Sequence, residues 1–377
     1  MNKVRLGDVA TYINGYAFKP DDRGSVGLPI IRIQDLTGNS YDLGFYDGEY
    51  PERIEINNGD VLISWSASLG VYVWNKGKAL LNQHIFKVVF DKIEIDKQFF
   101  VYAVEHSLQE MVKQTHGATM KHIIKKDFDN TLIPYPSLEQ QKSIAKLLDK
   151  TCDLIEKMKL QASSLDELIK SRFVEMFGDP STNTFSWIVE PLSYHLSVIG
   201  GYAFKSDLFV EDGIPVLRIG NINTGVFRST NLVFWKDDAQ LDRYKMYPGD
   251  LVISLTGTVG KNDYGNVCIL GNDYDVYYLN QRNAKLELKP TINKVYLSEL
   301  LKFGEIKQRL TGINRGVRQA NISNKDILDL CVPIPPIKLQ KQFADFVTQV
   351  EKQKATIQQS INKLETLKKS LMQEYFG

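Results

Sequence analysis

The stretch from Ser137 to Gly178 contains no proline or glycine before its last residue, and it has an echo from Pro336 to Gly377. Ser137 and Gln140 have capping-box spacing. Behind them Ile144, Leu147, Leu148, Leu154, Ile155, Met158, Leu165, Leu168, Ile169 and Phe173 recur at threes and fours, the period of an amphipathic helix. Gly178-Asp179-Pro180 then supplies a glycine stop followed by a proline that cannot continue the helix. In the second copy Val350, Ile357, Leu364 and Leu371 recur every seven residues, the period of a coiled-coil seam. The copies register on each other: Pro134 with Pro333, Pro136 with Pro335, Gln141 with Gln340, Ala145 with Ala344 and Phe177-Gly178 with Phe376-Gly377, each pair 199 residues apart. A helix of roughly 38 residues at about 1.5 Å each is about 57 Å long, more than a small domain needs for its own core. Each copy therefore reads as a strut.

The segments ahead of the struts are also related. Leu6 and Leu192, Gly15-Tyr16-Ala17-Phe18-Lys19 and Gly201-Tyr202-Ala203-Phe204-Lys205, and Pro29-x-x-Arg32-Ile33 and Pro215-x-x-Arg218-Ile219 all differ by 186. The offset becomes 190 where Gly59-Asp60-Val61-Leu62-Ile63-Ser64 meets Gly249-Asp250-Leu251-Val252-Ile253-Ser254, 198 where Leu81-Asn82-Gln83 meets Leu279-Asn280-Gln281, and 199 from Asp127 and Asp326 onward. Shared anchors with drifting spacing describe one scaffold carrying different loops. The anchors are short β-branched runs bounded by Gly, Asn or Asp (LPIIRI, GDVLIS, HIFKVVF, IPVLRI, GDLVISL, AKLELK) and predict strands, with helical pieces at Lys97–Thr115 and Val295–Leu310.

The fold class expected is α+β, with two homologous mixed α/β domains at residues 1–136 and 187–335. Long helices at 137–178 and 336–377 and a linker at 179–186 complete the chain. Each strut has an apolar stripe to bury, so the two pair antiparallel as a coiled coil in a pseudo-two-fold dumbbell. Apolar content of 43% and charged content of 24% support real cores. The N-terminal residues lack the apolar run of a signal peptide, and no stretch approaches a membrane span, so a cytoplasmic chain is expected. Cys152, Cys268 and Cys331 are odd in number and far apart, which predicts buried free thiols. His84, His106, His116, His122 and His195 show no ligand spacing, so no metal is expected.

The order of domain, long helix, domain, long helix, with junctions Ile133-Pro134-Tyr135-Pro136-Ser137-Leu138-Glu139-Gln140-Gln141 and Val332-Pro333-Ile334-Pro335-Pro336-Ile337, resembles the DNA-specificity subunit of type I restriction-modification systems over essentially the whole chain. The second junction departs from the first with Lys338 and Leu339 where Glu139 and Gln140 stand. The resemblance implies two target-recognition domains, each reading half of an asymmetric bipartite site on double-stranded DNA. It also implies spacer helices that hold the half-site distance and dock two methyltransferase subunits, with restriction subunits joining through the complex. It implies no catalysis and no cofactor in this chain itself. The helix residues expected in the coiled coil or in subunit docking are Leu147, Leu154, Met158, Leu165, Leu168, Val350, Ile357, Ile361, Leu364 and Leu371.

Rival enzymatic motifs fall short. Thr256-Gly257-Thr258-Val259-Gly260-Lys261 has two residues between its glycines and Asn262 after the lysine, where a P-loop needs four and a hydroxyl. Gly200-Gly201 lacks the third glycine of a dinucleotide fingerprint. Base reading needs donors and acceptors near loop ends. In the first domain these are Arg32, Gln34, Ser64, Trp65, Ser66, Asn82, Gln83, His84, His116, Thr119 and Lys121. In the second they are Arg218, Asn221, Ser254, Thr256, Thr258, Lys261, Asn280, Gln281, Arg282, Arg315, Arg318 and Gln319. Arg32 and Arg218, each flanked by aliphatic residues on an expected strand, could equally be internal ion-pair partners. Asn82-Gln83 and Asn280-Gln281 are common to both halves and read as scaffold or phosphate contacts. The divergent pairs, His84 against Arg282, Trp65-Ser66 against Leu255-Thr256, and His116 to His122 against Asn314 to Asn321, are the better specificity candidates. A net charge of +1 requires that basic groups be concentrated on one face or supplied by other subunits. The competing readings are a coiled-coil protein adaptor with no DNA contact and a self-sufficient duplicated enzyme.

Overall fold

In the computed structural model, which describes residues 2–39, 42–114, 124–258, 260–312 and 319–377, the Gly-Asp anchors build the same strand start twice. Gly59 and Gly249 turn the chain at φ +90° and +85°, a region open to glycine without strain. The following Asp60 and Asp250 accept from the amides of Asn57 and Tyr247, each at 2.8 Å. They also ion-pair with Lys87 at 3.0 Å and Lys285 at 2.8 Å on the neighbouring strand. Lys97 Nζ and Lys294 Nζ then donate to the carbonyls of the same glycines at 2.7 and 3.0 Å.

The chain divides into two units, Met1–Lys159 with Gln358–Gly377, and Leu160–Ile357. In the first, antiparallel strands stand in the order Thr11–Asn14, Ile85–Val89, Val61–Ser64, Gly70–Val73. A second sheet runs Phe45–Tyr46, Leu28–Ile31, Ala79–Leu81, Glu55–Ile56, its central pair parallel. Lys3–Arg5 pairs with Leu132–Pro134. The second unit repeats this topology with Leu196–Gly200, Asn283–Leu288, Leu251–Ser254, Val267–Ile269, and with Val233–Trp235, Ile214–Leu217, Tyr277–Leu279, Lys245–Met246, the central pair again parallel. Val189–Pro191 pairs with Cys331–Pro333. Among the described residues one ladder, Thr256–Thr258 with Gln319–Asn321, belongs to the second unit alone.

The repeated Gly-Tyr-Ala-Phe-Lys segment has a steric reason for its first residue. A Cβ on Gly15 or Gly201 would lie 2.1 Å from the carbonyl oxygen of Asn82 or Asn280. The glycine lets the backbones close, so Tyr16 and Tyr202 bridge to Asn82 and Asn280 in parallel. Two motifs that recur in both halves at different separations are thus one contact made twice.

The two long helices are Leu138–Phe177 and Ile337–Phe376. Ser137 and Gln140 cap the first reciprocally, and Gly178 at φ +76° ends it, its amide bonded to Val174. In the first unit Ile144, Ala145 and Leu148 pack with Leu371, Met372 and Phe376, while Lys159 ion-pairs with Glu365, so the segments run in opposite directions. In the second unit Ile169, Phe173 and Phe177 pack with Phe343, Val347 and Val350, and Lys354 ion-pairs with Asp166. There too the direction is antiparallel. The heptad reading of the second helix holds: Val350 and Leu371 are buried with Ile361, and Ile357 and Leu364 lie half-buried between them. In the first helix the pairs Leu147-Leu148, Leu154-Ile155 and Leu168-Ile169 put only their second member in the seam. Adjacent residues are about 100° apart on a helix, and Leu147, Leu154 and Leu168 remain exposed. Met158 and Leu165 are half-buried.

Three local expectations are corrected. Arg32 and Arg218 are not on strands: Leu28–Ile31 and Ile214–Leu217 end before them, and each arginine precedes a short helical turn, Ile33–Leu36 or Ile219–Asn221. The second domain helix is broken into Lys294–Lys302 and Gly304–Thr311 at the Phe303-Gly304 step, where the first unit has one helix, Lys97–Gln114. Cys331 is exposed rather than buried, whereas burial pushes the Cys268 thiol up to about 12.

The Pro-x-Pro junctions share a buried glutamine. Gln141 Oε1 accepts from the Asp96 amide at 2.9 Å and its Nε2 donates to the Pro136 carbonyl at 2.9 Å. Gln340 does the same with Asn293 at 2.8 Å and Pro335 at 2.7 Å. Replacing Gln340 by Leu keeps the volume but orphans a buried N–H and a buried carbonyl, so denaturant unfolding of the full chain is expected to show a loss of roughly 2–4 kcal/mol. A loss under about 0.5 kcal/mol would mean that the junction is held elsewhere.

Candidate nucleic-acid interface

The polar candidates separate first by burial. Arg32 is 8% exposed and pairs with Asp35 at 3.0 Å, with Asp42 at its other face. Hydrogen bonding to Asp35 raises its pKa further above an already high ordinary value. Ser64 and Ser254 are fully buried at the ends of equivalent strands, closing the loops that follow them through Ser68 and Asn266. Ser66 is buried as well. Asn221 is buried, its Nδ2 donating to the carbonyls of Arg228 and Thr230 at 2.9 and 3.0 Å. Gln34, Gln83, Arg218, Thr258, Lys261, Gln281 and Arg282 are exposed, and Trp65, Asn82, His84, Thr256 and Asn280 are half-buried. Arg218 donates to the Asn231 carbonyl at 2.7 Å. His116, Thr119, Lys121, Arg315 and Arg318 lie outside the described residues, and of Gln319 only the backbone is described.

The structure brings two of the divergent pairs together. In the first unit the Trp65 amide donates to the His84 carbonyl at 3.3 Å, the two rings lie edge to face at 4.9 Å, and Trp65 stacks on Phe86. In the second unit the same backbone bond joins Leu255 to Arg282 at 2.8 Å. One hydrogen bond of the scaffold therefore places the unlike residues of each half side by side, at a turn following the central strand Val61–Ser64 or Leu251–Ser254. Beside it the shared residues are fixed through their backbone amides: Gln83 and Gln281 donate to the carbonyls of Tyr16 and Tyr202 at 2.8 and 2.9 Å. Asn82 and Asn280 fold back on their own turns, their Oδ1 accepting from the amides of Gln83 and Arg282.

Two sets of residues at this edge were not singled out from the sequence. Tyr16 and Tyr202 are 42% and 37% exposed next to the exposed glutamines, a position their repeated motif marks. Asn262, Asn266 and Lys307 interact beneath the loop that follows Leu255, and no periodicity or spacing points to them. Among the described residues no group of three or more His, Cys, Asp or Glu could hold a metal ion, and no helix is long and apolar enough to cross a membrane.

Fold and surface together define a duplicated recognition protein in which one scaffold presents two unlike polar edges. Residues 1–163 and 196–366 match the family model described as type I restriction modification DNA specificity domain, and the chain belongs to that family, whose members recognise DNA without catalysing a reaction. It is 23% identical over 401 residues to the type I restriction enzyme EcoBI specificity subunit of Escherichia coli, covering 96% of this chain and 81% of that one. It is 26% identical over 394 residues to the MjaVIII specificity subunit of Methanocaldococcus jannaschii, covering 98% and 90%. The crystal structure of the type I restriction-modification S subunit from M. genitalium aligns with a TM-score of 0.57 at 16% identity, covering 100% of this chain and 96% of that one, a likeness of fold.

The burial of Arg32 fixes how its removal will register. Arg32→Ala removes the guanidinium that pairs with the buried Asp35 carboxylate at 3.0 Å, so the expected result is a stability loss of about 3 kcal/mol in denaturant unfolding. The slope of DNA affinity against salt should not change, because a side chain held this way is not one that releases a phosphate counterion. A slope lowered by about 0.9 would place Arg32 on the DNA backbone instead.

Proposed function

We propose that each unit reads one half of an asymmetric, bipartite site on double-stranded DNA. The long helices set the half-site spacing and dock two methyltransferase subunits, through which restriction subunits join. The observation that carries this reading is the equivalent turn in the two units, where one backbone hydrogen bond presents Trp65 with His84 in one case and Leu255 with Arg282 in the other. A scaffold written twice with different groups at its presenting edge suits two different half-sequences. The groups that do not differ, Tyr16 with Gln83 and Tyr202 with Gln281, suit contacts that carry no sequence information, a hydroxyl and an amide on phosphates. The exposed leucines Leu147, Leu154 and Leu168 suit subunit docking, since the seam does not cover them. In this reading the protein works in the cytoplasm, where its DNA is. A protein adaptor with no DNA contact, the rival reading from sequence, is disfavoured by the family match over most of the chain.

Footprinting the full chain together with its methyltransferase partner tests the reading: two protected patches about one helical turn apart support it, and binding insensitive to salt and sequence sinks it. Within that experiment Arg282 has its own expected outcome. An exposed arginine at the divergent turn has the donor fork for guanine, so Arg282→Ala should relax discrimination at one base pair of one half-site by about 1–3 kcal/mol, measured by competition with single-substituted duplexes. A uniform loss across all sequences would instead make Arg282 a phosphate contact.

A further inference from the structure

The two units differ most in the connection after their central strands. Residues 65–69 link Val61–Ser64 to Gly70–Val73 in the first, whereas residues 255–266 link Leu251–Ser254 to Val267–Ile269 in the second. The described residues of the longer connection, 255–258 and 260–266, are tied down. Thr256–Thr258 pairs with Gln319–Asn321, and the Thr258 amide and hydroxyl bond to Asp263 at 2.9 and 3.1 Å. The hydroxyl of buried Tyr264 donates to the Thr311 carbonyl at 2.7 Å. Gly257 leaves room for this closure, since a Cβ there would lie 2.4 Å from Asp263 Oδ1.

Beneath this finger sits Lys307, on the helix Gly304–Thr311 and only 9% exposed. Its ammonium donates to Asn262 Oδ1 and, at 2.5 Å, to Asn266 Oδ1. Asn266 in turn donates its Nδ2 to the carbonyls of Asn223 and Asn262 and shares three hydrogen bonds with Ser254. A buried ammonium ordinarily sits on a carboxylate; here burial pushes it down from its usual range, and the Asp263 carboxylate opposes this through space while the hydrogen bonds go to amide oxygens. Two neutral amide oxygens recover less of the desolvation cost than a carboxylate would, so as a stability device the arrangement is poor. What it does achieve is geometric: one tetrahedral donor clamps the returning arm of the finger at Asn262 and Asn266, and that arm carries Asp263, which holds Thr258, and follows directly on Lys261, whose amide bonds to Thr258; Thr258 and Lys261 are both exposed.

We propose that Lys307 is a positioning residue for sequence reading by the second unit, holding the finger Thr256–Asn266 in the conformation that presents Thr256, Thr258 and Lys261 to base edges. The proposal rests on the DNA-reading function above and deepens it by assigning half of the site's specificity to a finger that the first unit lacks. Lys307 touches no DNA in this arrangement. It acts through Asn262 and Asn266, and the first half-site does not depend on it.

The test is selection of bound sequences from a random duplex library by the full chain assembled with its methyltransferase partner, comparing wild type, Lys307→Met and Asn262→Ala. Met keeps the length and apolar stem of the lysine and removes its donors. Asn262→Ala removes one acceptor on an exposed finger residue without touching the core. Wild type should select two half-sequences. Both variants should lose about tenfold in discrimination across one half-sequence only, keep the other, and leave the salt slope of binding unchanged, and the double variant should be no worse than either single one. Equal loss in both halves, unchanged selection, or a salt slope lowered by about 0.9 would overturn the proposal. Should Lys307→Met fail to fold, Asn262→Ala decides alone on the same outcomes. A wild-type complex that selects no sequence at all would overturn the DNA-reading function itself, an outcome distinct from selection that both variants preserve.

Discussion

The buried amide of Gln141, and its twin Gln340, is the joint on which the two units depend. Each long helix starts where its glutamine accepts the first amide of a domain helix and donates to the proline carbonyl that precedes its own first turn. Helix starts leave amides without partners and tolerate proline only there. A domain helix and a long helix that begin side by side would both present such groups to the core. The glutamine oxygen takes one such amide at the domain helix, and its nitrogen takes the buried carbonyl of the proline just before the long helix, which ties the two starts together and fixes the direction in which the long helix leaves. The antiparallel seam in each unit follows from that direction together with the apolar rows it carries.

Much of this was legible because repetition in a sequence exposes constraint without any alignment. The Gly-Asp anchors, the Gly-Tyr-Ala-Phe-Lys segments and the two long helices were recognisable because each occurs twice, and each corresponds to a backbone contact that one copy alone would not have revealed. Heptad spacing identified the seam of the second helix directly. The first helix was harder, since Leu147-Leu148, Leu154-Ile155 and Leu168-Ile169 offer two apolar residues where the seam takes one. Periodicity counts apolar residues but does not say which neighbour supplies the partner. Placing Arg32 and Arg218 on strands failed for a related reason. The aliphatic residues around them satisfy a strand pattern, yet Asp35 and Asn221 accept from the arginine amides and turn the chain into a helical start.

The interface was legible only in part. Contrast between the halves pointed to His84 against Arg282 and Trp65 against Leu255, and the shared backbone bond that brings each pair together gives that contrast a physical basis. Ser64, Ser254 and Asn221 were nominated as polar groups at loop ends, but their polarity serves the closure of the loops. Contrast reached only the edge of the second unit's finger: the rise in offset from 190 to 198 and the pair Trp65-Ser66 against Leu255-Thr256 mark where it begins, not how it is held. It has no counterpart to be compared with, and its support comes from Lys307, distant in sequence and set in an otherwise ordinary amphipathic helix.

Charge ties these points together. With 46 basic and 45 acidic side chains the protein cannot rely on a broad positive field. Several sheet lysines are already engaged: Lys87 with Asp60, Lys285 with Asp250, and Lys245 with both Asp237 and Asp242. Sequence-blind attraction to DNA therefore needs cations gathered on one face or supplied by other subunits, and discrimination needs contacts with base edges. Base contacts depend on geometry to a fraction of an ångström, whereas phosphate contacts tolerate mobile side chains. A reader of this kind needs its few discriminating groups mounted rigidly. That requirement accounts for turns closed by buried serines, an edge tied by a repeated backbone bond, and a finger clamped from below by an ammonium that a purely structural core would have replaced with a leucine.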